Sequence, residues 1–445
     1  MTPIGLHPLF ETPIPRGWEL LCVDDIKAAE KSACVAGPFG SNISSKYFVE
    51  SGVPVIRGGN LRDDLTQFVP QGFAFVSGEQ ATKYKAQHVR AGDLVFTCWG
   101  TVGQVGLIPK DGPFPEYIIS NKQLKLRPNL DITDPLYLFY YFAGPKMVQH
   151  VLGKAIGAAV PGINLGILKQ LPVVLPPLRE QRRIAAILSA YDALIDNSQR
   201  RIQILETMAR TLYREWFVHF RFPGYENVPR VASALGEIPQ GWEAKRLDQV
   251  CRSIQDGDWV ETKDQGGHAY RLLQISNIGV GEFIETGNFR FISQSAFERL
   301  RCTEIMPGDL LVARMPTPIG RAWLASAAPW KMVTAVDVAI VRTRLELLDP
   351  RFLFLAWNET ANLKRIAAQA SGTTRLRITR RELAALEFVI PPPSIQSHFT
   401  RLIEPMMALV QSLRLQAGHL RQTRDLLLPR LMSGQLAKEA VNASN

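Results

Sequence analysis

At 445 residues the chain is too long for one ordinary hydrophobic core, so two or more domains are expected. A hydrophobic content of 46% with 21% charged residues indicates a globular chain, and no apolar run reaches transmembrane length, which excludes a protein built of membrane-spanning helices. The formal charge of +10 favours a polyanionic partner, nucleic acid before others.

The opening, MTPIGLHPLFETPIPRGWE, has neither the basic nor the apolar region of a signal peptide, so a cytoplasmic location is expected. Cys22, Cys34, Cys98, Cys251 and Cys302 are scattered with no CxxC pair, and the seven histidines form no HxxxH; this favours reduced thiols over disulfides or a zinc site. Short strand-like runs at Val53–Ile56, Leu94–Thr97 and Gln123–Leu126 alternate with glycine- and proline-bearing turns, and a helical stretch follows at Pro135–Leu152. Pro176 and Pro177 then mark the outside of a long helix. Its apolar stripe runs at alternating spacings of four and three: Ile184, Leu188, Tyr191, Ile195, Ser198, Ile202, Leu205, Ala209, Leu212. A heptad seam held that long marks a helix packed lengthwise against another. From Arg179 to Val218 it would be roughly 60 Å long at about 1.5 Å per residue, and Phe222-Pro223-Gly224 ends it.

The second half answers the first. Strand-like runs recur at Tyr270–Ile275, Leu310–Ala313 and Asp337–Val341, and a helical stretch at Pro350–Ala370. Prolines again precede a helix, with Ser394 as the expected N-cap. Its seam reads Phe399, Ile403, Met406, Val410, Leu413, Ala417, Leu420, Arg424, Leu427, Leu431, and Pro405 is expected to kink it near its start. The matches are colinear. Ile14-Pro15-Arg16-Gly17-Trp18-Glu19 returns as Ile238-Pro239-Gln240-Gly241-Trp242-Glu243, an offset of 224; Gly92-Asp93-Leu94 returns as Gly308-Asp309-Leu310, an offset of 216. Asn60 and Asn277, Gly103 and Gly320, Gly157 and Gly372, and Leu175 and Ile390 follow at 217, 217, 215 and 215. A unit of about 215 residues has therefore been duplicated. The mixture reads as α+β, with two like globules separated by two long antiparallel coiled-coil helices in pseudo-two-fold symmetry. The expected boundaries are 1–178, 179–222, 223–393 and 394–445.

A catalytic constellation is absent from the sequence. There is no GxxxxGK[ST], no [DN]PP[YF], no HExxH and no GxSxG; Glu243-Ala244-Lys245 offers an ExK pair that the first copy, Glu19-Leu20-Leu21, lacks. A binding protein is the expectation. Reading duplex DNA needs cations for phosphates and polar side chains for groove edges. The first globule offers Ser41, Asn42, Lys46, Arg57, Asn60, Arg62, Trp99, Thr101, Asn121 and Lys122 in turn-like segments. The second offers Asp256, Asp258, Trp259, Gln274, Asn277, Arg314, Thr317, Arg321, Thr373, Thr374, Arg375 and Arg377. Frame residues match between the copies while exposed-looking polar residues differ, as two modules with unlike ligands would. Asn60 and Asn277, kept in both, also suit tight turns.

Taken together, the two IPxGWE openings, the GDL segments, the starts LPPLREQRRIAAIL and IPPPSIQ, the close YREWFVHFRFPG and the run LLLPRLMSGQL resemble the specificity subunit of type I restriction-modification systems over nearly the whole chain. The resemblance implies two target-recognition domains, each reading one half of a bipartite asymmetric sequence in double-stranded DNA. The helices would serve as spacer and as docking surface for two modification subunits, with two restriction subunits joining the complex. It also implies no catalysis in this chain: S-adenosylmethionine would belong to the modification partner, and ATP and Mg to the restriction partner. Three alternatives stand beside it: a related system whose single partner chain both methylates and cleaves, a scaffold that does not bind DNA, and a degenerate enzyme.

Overall fold

The computed structural model describes residues 6–157, 161–285, 287, 289–372 and 375–435. They fall into two compact units: one takes the chain up to Asn197 and again from Gln416, and the other spans Ser198–Leu415. Each unit therefore holds a part of both long helices.

In the first unit Glu19–Cys22 pairs antiparallel with Pro172–Leu175, placing Glu19 opposite Leu175. A four-stranded antiparallel sheet follows in the order Cys34–Ala36, Gln123–Leu126, Leu94–Thr97, Val105–Leu107. A second sheet contains Val53–Ile56 running parallel to Tyr117–Ile119. The second unit repeats this plan. Glu243–Arg246 pairs with Glu387–Ile390, a four-stranded sheet runs Cys251–Asp256, Val338–Thr343, Leu310–Ala313, Ala322–Leu324, and Tyr270–Leu273 lies parallel to Lys331–Thr334. The duplication read from scattered residues is a duplication of topology.

The shared strand explains why the repeat is legible there. Leu94 and Phe96 point into a core with the helices, while Val95 points into a core with Ile56 and Tyr117. Likewise Leu310 and Val312 face one core of the second unit, Leu311 and Ala313 another. A strand covered on both faces is apolar throughout, hence LVFT and LLVA.

Two expected helical stretches are each divided in two. Pro135–Ala143 gives way at Gly144 to Pro145–Lys154, because Pro145 cannot donate to the preceding turn. Pro350–Asn358 and Thr360–Ala368 are parted at Glu359, whose φ of −63° and ψ of 135° are extended. The strand expected at Tyr270–Ile275 ends at Leu273, and that expected at Asp337–Val341 runs Val338–Thr343.

The central helix is Leu178–Tyr213, continued by a wider turn at Arg214–Val218; the C-terminal helix is Pro393–Met432. All residues of both expected seams are buried or half-buried. In the first unit Ile184, Ala185 and Leu188 share a core with Leu428, Leu431 and Met432, and Asp192 Oδ1 pairs with Arg424 NH1 at 2.6 Å, so these helix segments run antiparallel. In the second unit Ala209 and Tyr213 share a core with Phe399 and Ile403, and Glu206 Oε1 meets Arg414 NH2 at 2.6 Å, again antiparallel. Pro405 does not end the C-terminal helix. Its ring lies on the exposed face while Ile403 and Met406 stay on the seam, so the lost backbone bond falls where water can serve the carbonyl. Ser394 lies inside the first turn rather than at the cap, since the helix already begins at Pro393.

Candidate nucleic-acid interface

The first unit gathers its expected contact residues through backbone anchors. Gly37 follows the edge strand Cys34–Ala36, and its N–H donates to the Gln123 carbonyl at 2.9 Å. A Cβ there would lie 1.8 Å from the Ser120 carbonyl oxygen, so only glycine lets the two loops approach. Asn121 Nδ2 then donates to the Gly40 carbonyl at 2.9 Å, and the Cys98 N–H to the Lys122 carbonyl at 2.8 Å. These bonds draw together the segments carrying Asn42, Trp99, Asn121 and Lys122, all exposed. Ser41 lies in the turn Gly40–Asn42. Thr101 is exposed and bonded to Gln104. Lys46, Arg57 and Arg62 are exposed too; Lys46 Nζ lies 4.7 Å from the Tyr47 ring centre and the Arg57 guanidinium 5.9 Å from that of Phe48.

The second unit builds the corresponding place differently. Gly257 N–H donates to the Val338 carbonyl at 2.9 Å, and a Cβ would lie 2.3 Å from the Ala335 carbonyl oxygen. Trp259 is 67% exposed. Asp258 is half-buried, accepts from the Thr303 N–H at 3.0 Å, and has its pKa raised by burial. Thr317 and Arg375 are exposed, and Gln274 is half-buried. Thr373 and Thr374 lie outside the described residues.

Four of the expected contact residues prove to be framework. Asn60 is buried: its Oδ1 accepts the Arg57 N–H at 2.9 Å and its Nδ2 donates to the Val69 and Gln71 carbonyls. Asn277 does the same in its own turn, accepting from the Gln274 N–H at 2.8 Å and donating to the Ile284 carbonyl at 2.9 Å. Arg321 is buried with its guanidinium on the carbonyls of Ile275, Ile278, Pro316 and Pro318. Arg314 is buried against Asp256, 2.8 Å away, and donates to the Val336 carbonyl at 2.6 Å; burial lowers its pKa while Asp256 opposes the shift. Asn60, Asn277 and Arg321 thus spend their hydrogen bonds on backbone groups, whereas Arg314 keeps an unpartnered buried Nε beside the cleft that it helps to line.

Beside Arg314 opens a cleft of about 630 Å³. Arg252, Arg314, Arg344, Arg377, Arg380 and Arg381 line it, against the carboxylates of Asp248 and Asp256. Arg246 holds the Asp248 carboxyl below the usual carboxylate range, and Arg377 pairs with Asp337 at 3.2 Å. Arg252, Arg344, Arg380 and Arg381 make no ion pair among the described residues, so the cleft presents unneutralised positive charge. Sequence reasoning found Arg377 through its turn but missed those four, which three separate segments bring together. It also passed over Phe39, at 91% the most exposed large apolar side chain among the described residues.

Two copies of one α+β unit, each presenting polar and basic loops at the same place, define a duplicated module for reading a polyanion. Residues 15–207 match the type I restriction modification DNA specificity domain. The type I restriction enzyme MjaIX specificity subunit of Methanocaldococcus jannaschii is 22% identical over 442 residues, covering 96% of this chain and 95% of its own. The putative MjaX specificity subunit of that organism is 23% identical, covering 95% and 94%. The crystal structure of a type I restriction-modification system S subunit from M. genitalium shares the fold with a TM-score of 0.57 at 12% identity, covering 94% of this chain and 96% of its own. Residues 15–207 thus carry a DNA specificity domain of the type I restriction-modification kind, and over nearly its whole length the chain is similar to type I specificity subunits. No described helix is long and apolar enough to cross a membrane.

Proposed function

We propose that each unit reads one half of a bipartite, asymmetric target in double-stranded DNA. One observation carries this reading. Gly37 and Gly257 anchor equivalent loops onto equivalent sheets, yet the side chains presented differ: Asn42, Asn121 and Lys122 in one, Asp258, Trp259 and the arginine cleft in the other. One frame with two unlike surfaces suits two unlike half-sites, with arginine and lysine on phosphates and the polar groups at base edges. The paired helix segments set the spacing and dock two modification subunits, which transfer a methyl group from S-adenosylmethionine to adenine. Two restriction subunits add ATP- and Mg-dependent cleavage, and the complex works in the cytoplasm. The chain itself contributes recognition and no catalysis.

A methylation map of genomic DNA tests this, comparing cells that carry the gene and its modification partner with cells lacking it. A gapped two-part adenine motif that depends on the gene is expected. A purified complex that shows neither such a motif nor salt-dependent binding to duplex DNA would sink the proposal in favour of a scaffold.

A further inference from the structure

Phe39 and Trp259 occupy one position in the two copies. Each stands two residues beyond the anchoring glycine, Gly37 or Gly257, on the loop that leaves the edge strand of the four-stranded sheet. A single exposed aromatic is unremarkable on any protein surface. Here the same position is exposed twice, at 91% and 67%, and neither ring packs on another aromatic ring among the described residues. The loops beneath them are held. The Gly40 carbonyl, one residue past Phe39, accepts from Asn121 Nδ2. One residue before Trp259, the Asp258 N–H donates to the Thr334 carbonyl at 2.8 Å and its carboxylate accepts from the Thr303 N–H. A ring fixed outward on an anchored loop is pre-organised to meet a flat apolar surface without ordering a loop first.

We infer that Phe39 and Trp259 are paired stacking wedges, each entering or capping one base step of the half-site that its own unit reads. This rests on the DNA-reading proposal above. The surroundings favour bases over backbone. Trp259 Nε1 already donates to Glu261 Oε1 at 3.3 Å, and Lys263 holds the other oxygen of that carboxylate, so the indole has no free donor for a phosphate and offers its ring faces. Base faces accept aromatic stacking whatever their sequence, and apolar wedges that part a step lower the cost of extruding a neighbouring nucleotide. A wedge in each half-site would therefore prepare the duplex for a methyltransferase that needs the adenine out of the stack.

The test uses the full chain with its modification subunits and a duplex bearing the mapped motif. 2-Aminopurine is scanned through each half-site, with anisotropy reporting binding on the same samples. The wild-type complex should raise 2-aminopurine fluorescence at one step of each half-site. F39A should abolish the rise in the first unit's half-site only, and W259A in the other only, each weakening binding roughly 5- to 100-fold. The dependence of affinity on salt should not change, because no phosphate contact is lost. F39Y and W259F should restore the signal. Alanine variants that bind and perturb the probe as the wild type does would overturn the wedge while leaving DNA reading intact. A wild-type complex that does not bind the duplex would overturn both.

Discussion

At the scale of single residues, the repeated Gly-Asp-Leu segment marks a buried ion pair. Asp93 receives Arg127 Nε at 2.8 Å and NH2 at 2.6 Å and also accepts the Arg90 N–H; Asp309 receives Arg342 Nε at 2.8 Å and NH2 at 3.0 Å and accepts the Met306 N–H. Both carboxylates are almost wholly buried. Asp309→Ala removes three hydrogen bonds around a buried carboxylate and leaves Arg342 held by the Glu304 carbonyl, so it should cost about 1–3 kcal/mol, read as a lower urea midpoint of the purified chain. His7 adds a pH dependence. It is buried beside Phe10, with its Nδ1 accepting from the Leu9 N–H, and burial lowers its pKa from 6.5 to about 4. Below pH 6.5 the unfolded chain takes up a proton that the folded ring refuses until about pH 4. Stability is therefore lost as pH falls through that window, by about 2 kcal/mol at pH 5 from this group. His7→Phe should remove that part of the slope; urea midpoints at pH 7.5 and 5 compared with the wild type would show it.

At the scale of elements, one glutamine in the first turn of each long helix ties it to its unit. Gln181 Oε1 accepts the Asp134 N–H at 2.8 Å, and its Nε2 donates to the Ile132 and Pro176 carbonyls. Gln396, at an offset of 215, repeats this with Asp349, Leu347 and Pro391. Asp134 and Asp349 in turn cap the next helix, accepting the N–H of Tyr137 and Arg351. Gln181→Ala would leave the Asp134 N–H and two carbonyls buried and unpaired, at about 1–3 kcal/mol. Hydrogen exchange should show the loss first at Pro135–Ala143 and at the start of the central helix; unchanged protection there would count against the clamp. The seams were readable because a heptad records which face is covered, and even buried Arg424 fell on its pattern. Its partner Asp192 did not: it lies off the stripe and is enlisted by Arg424 and by the Tyr140 hydroxyl across chain distances no period encodes.

At the scale of the whole molecule, both long helices pass from one unit into the other. If each unit reads a half-site, the helices measure the gap between them. Inserting one turn, about 5.4 Å, should lengthen the non-specific spacer by on the order of one to two base pairs and leave both half-sites unaltered. A methylation map of the insertion variant decides it: altered half-site letters would dismiss the helices as a ruler.

The sequence by itself determined the duplication, the α+β character, both seams, six of the strands and the resemblance to type I specificity subunits. Each of these leaves a periodic or colinear trace, because every residue in it answers to its near neighbours or to its copy. Only the tertiary structure decided which polar residues are available to a ligand. Asn60, Asn277 and Arg321 have the chemistry of base readers but spend it on backbone carbonyls and amides, and Arg252, Arg314, Arg344, Arg380 and Arg381 become one cleft only when distant segments meet. Burial and convergence are properties of packing in three dimensions, and a residue's type and spacing do not carry them.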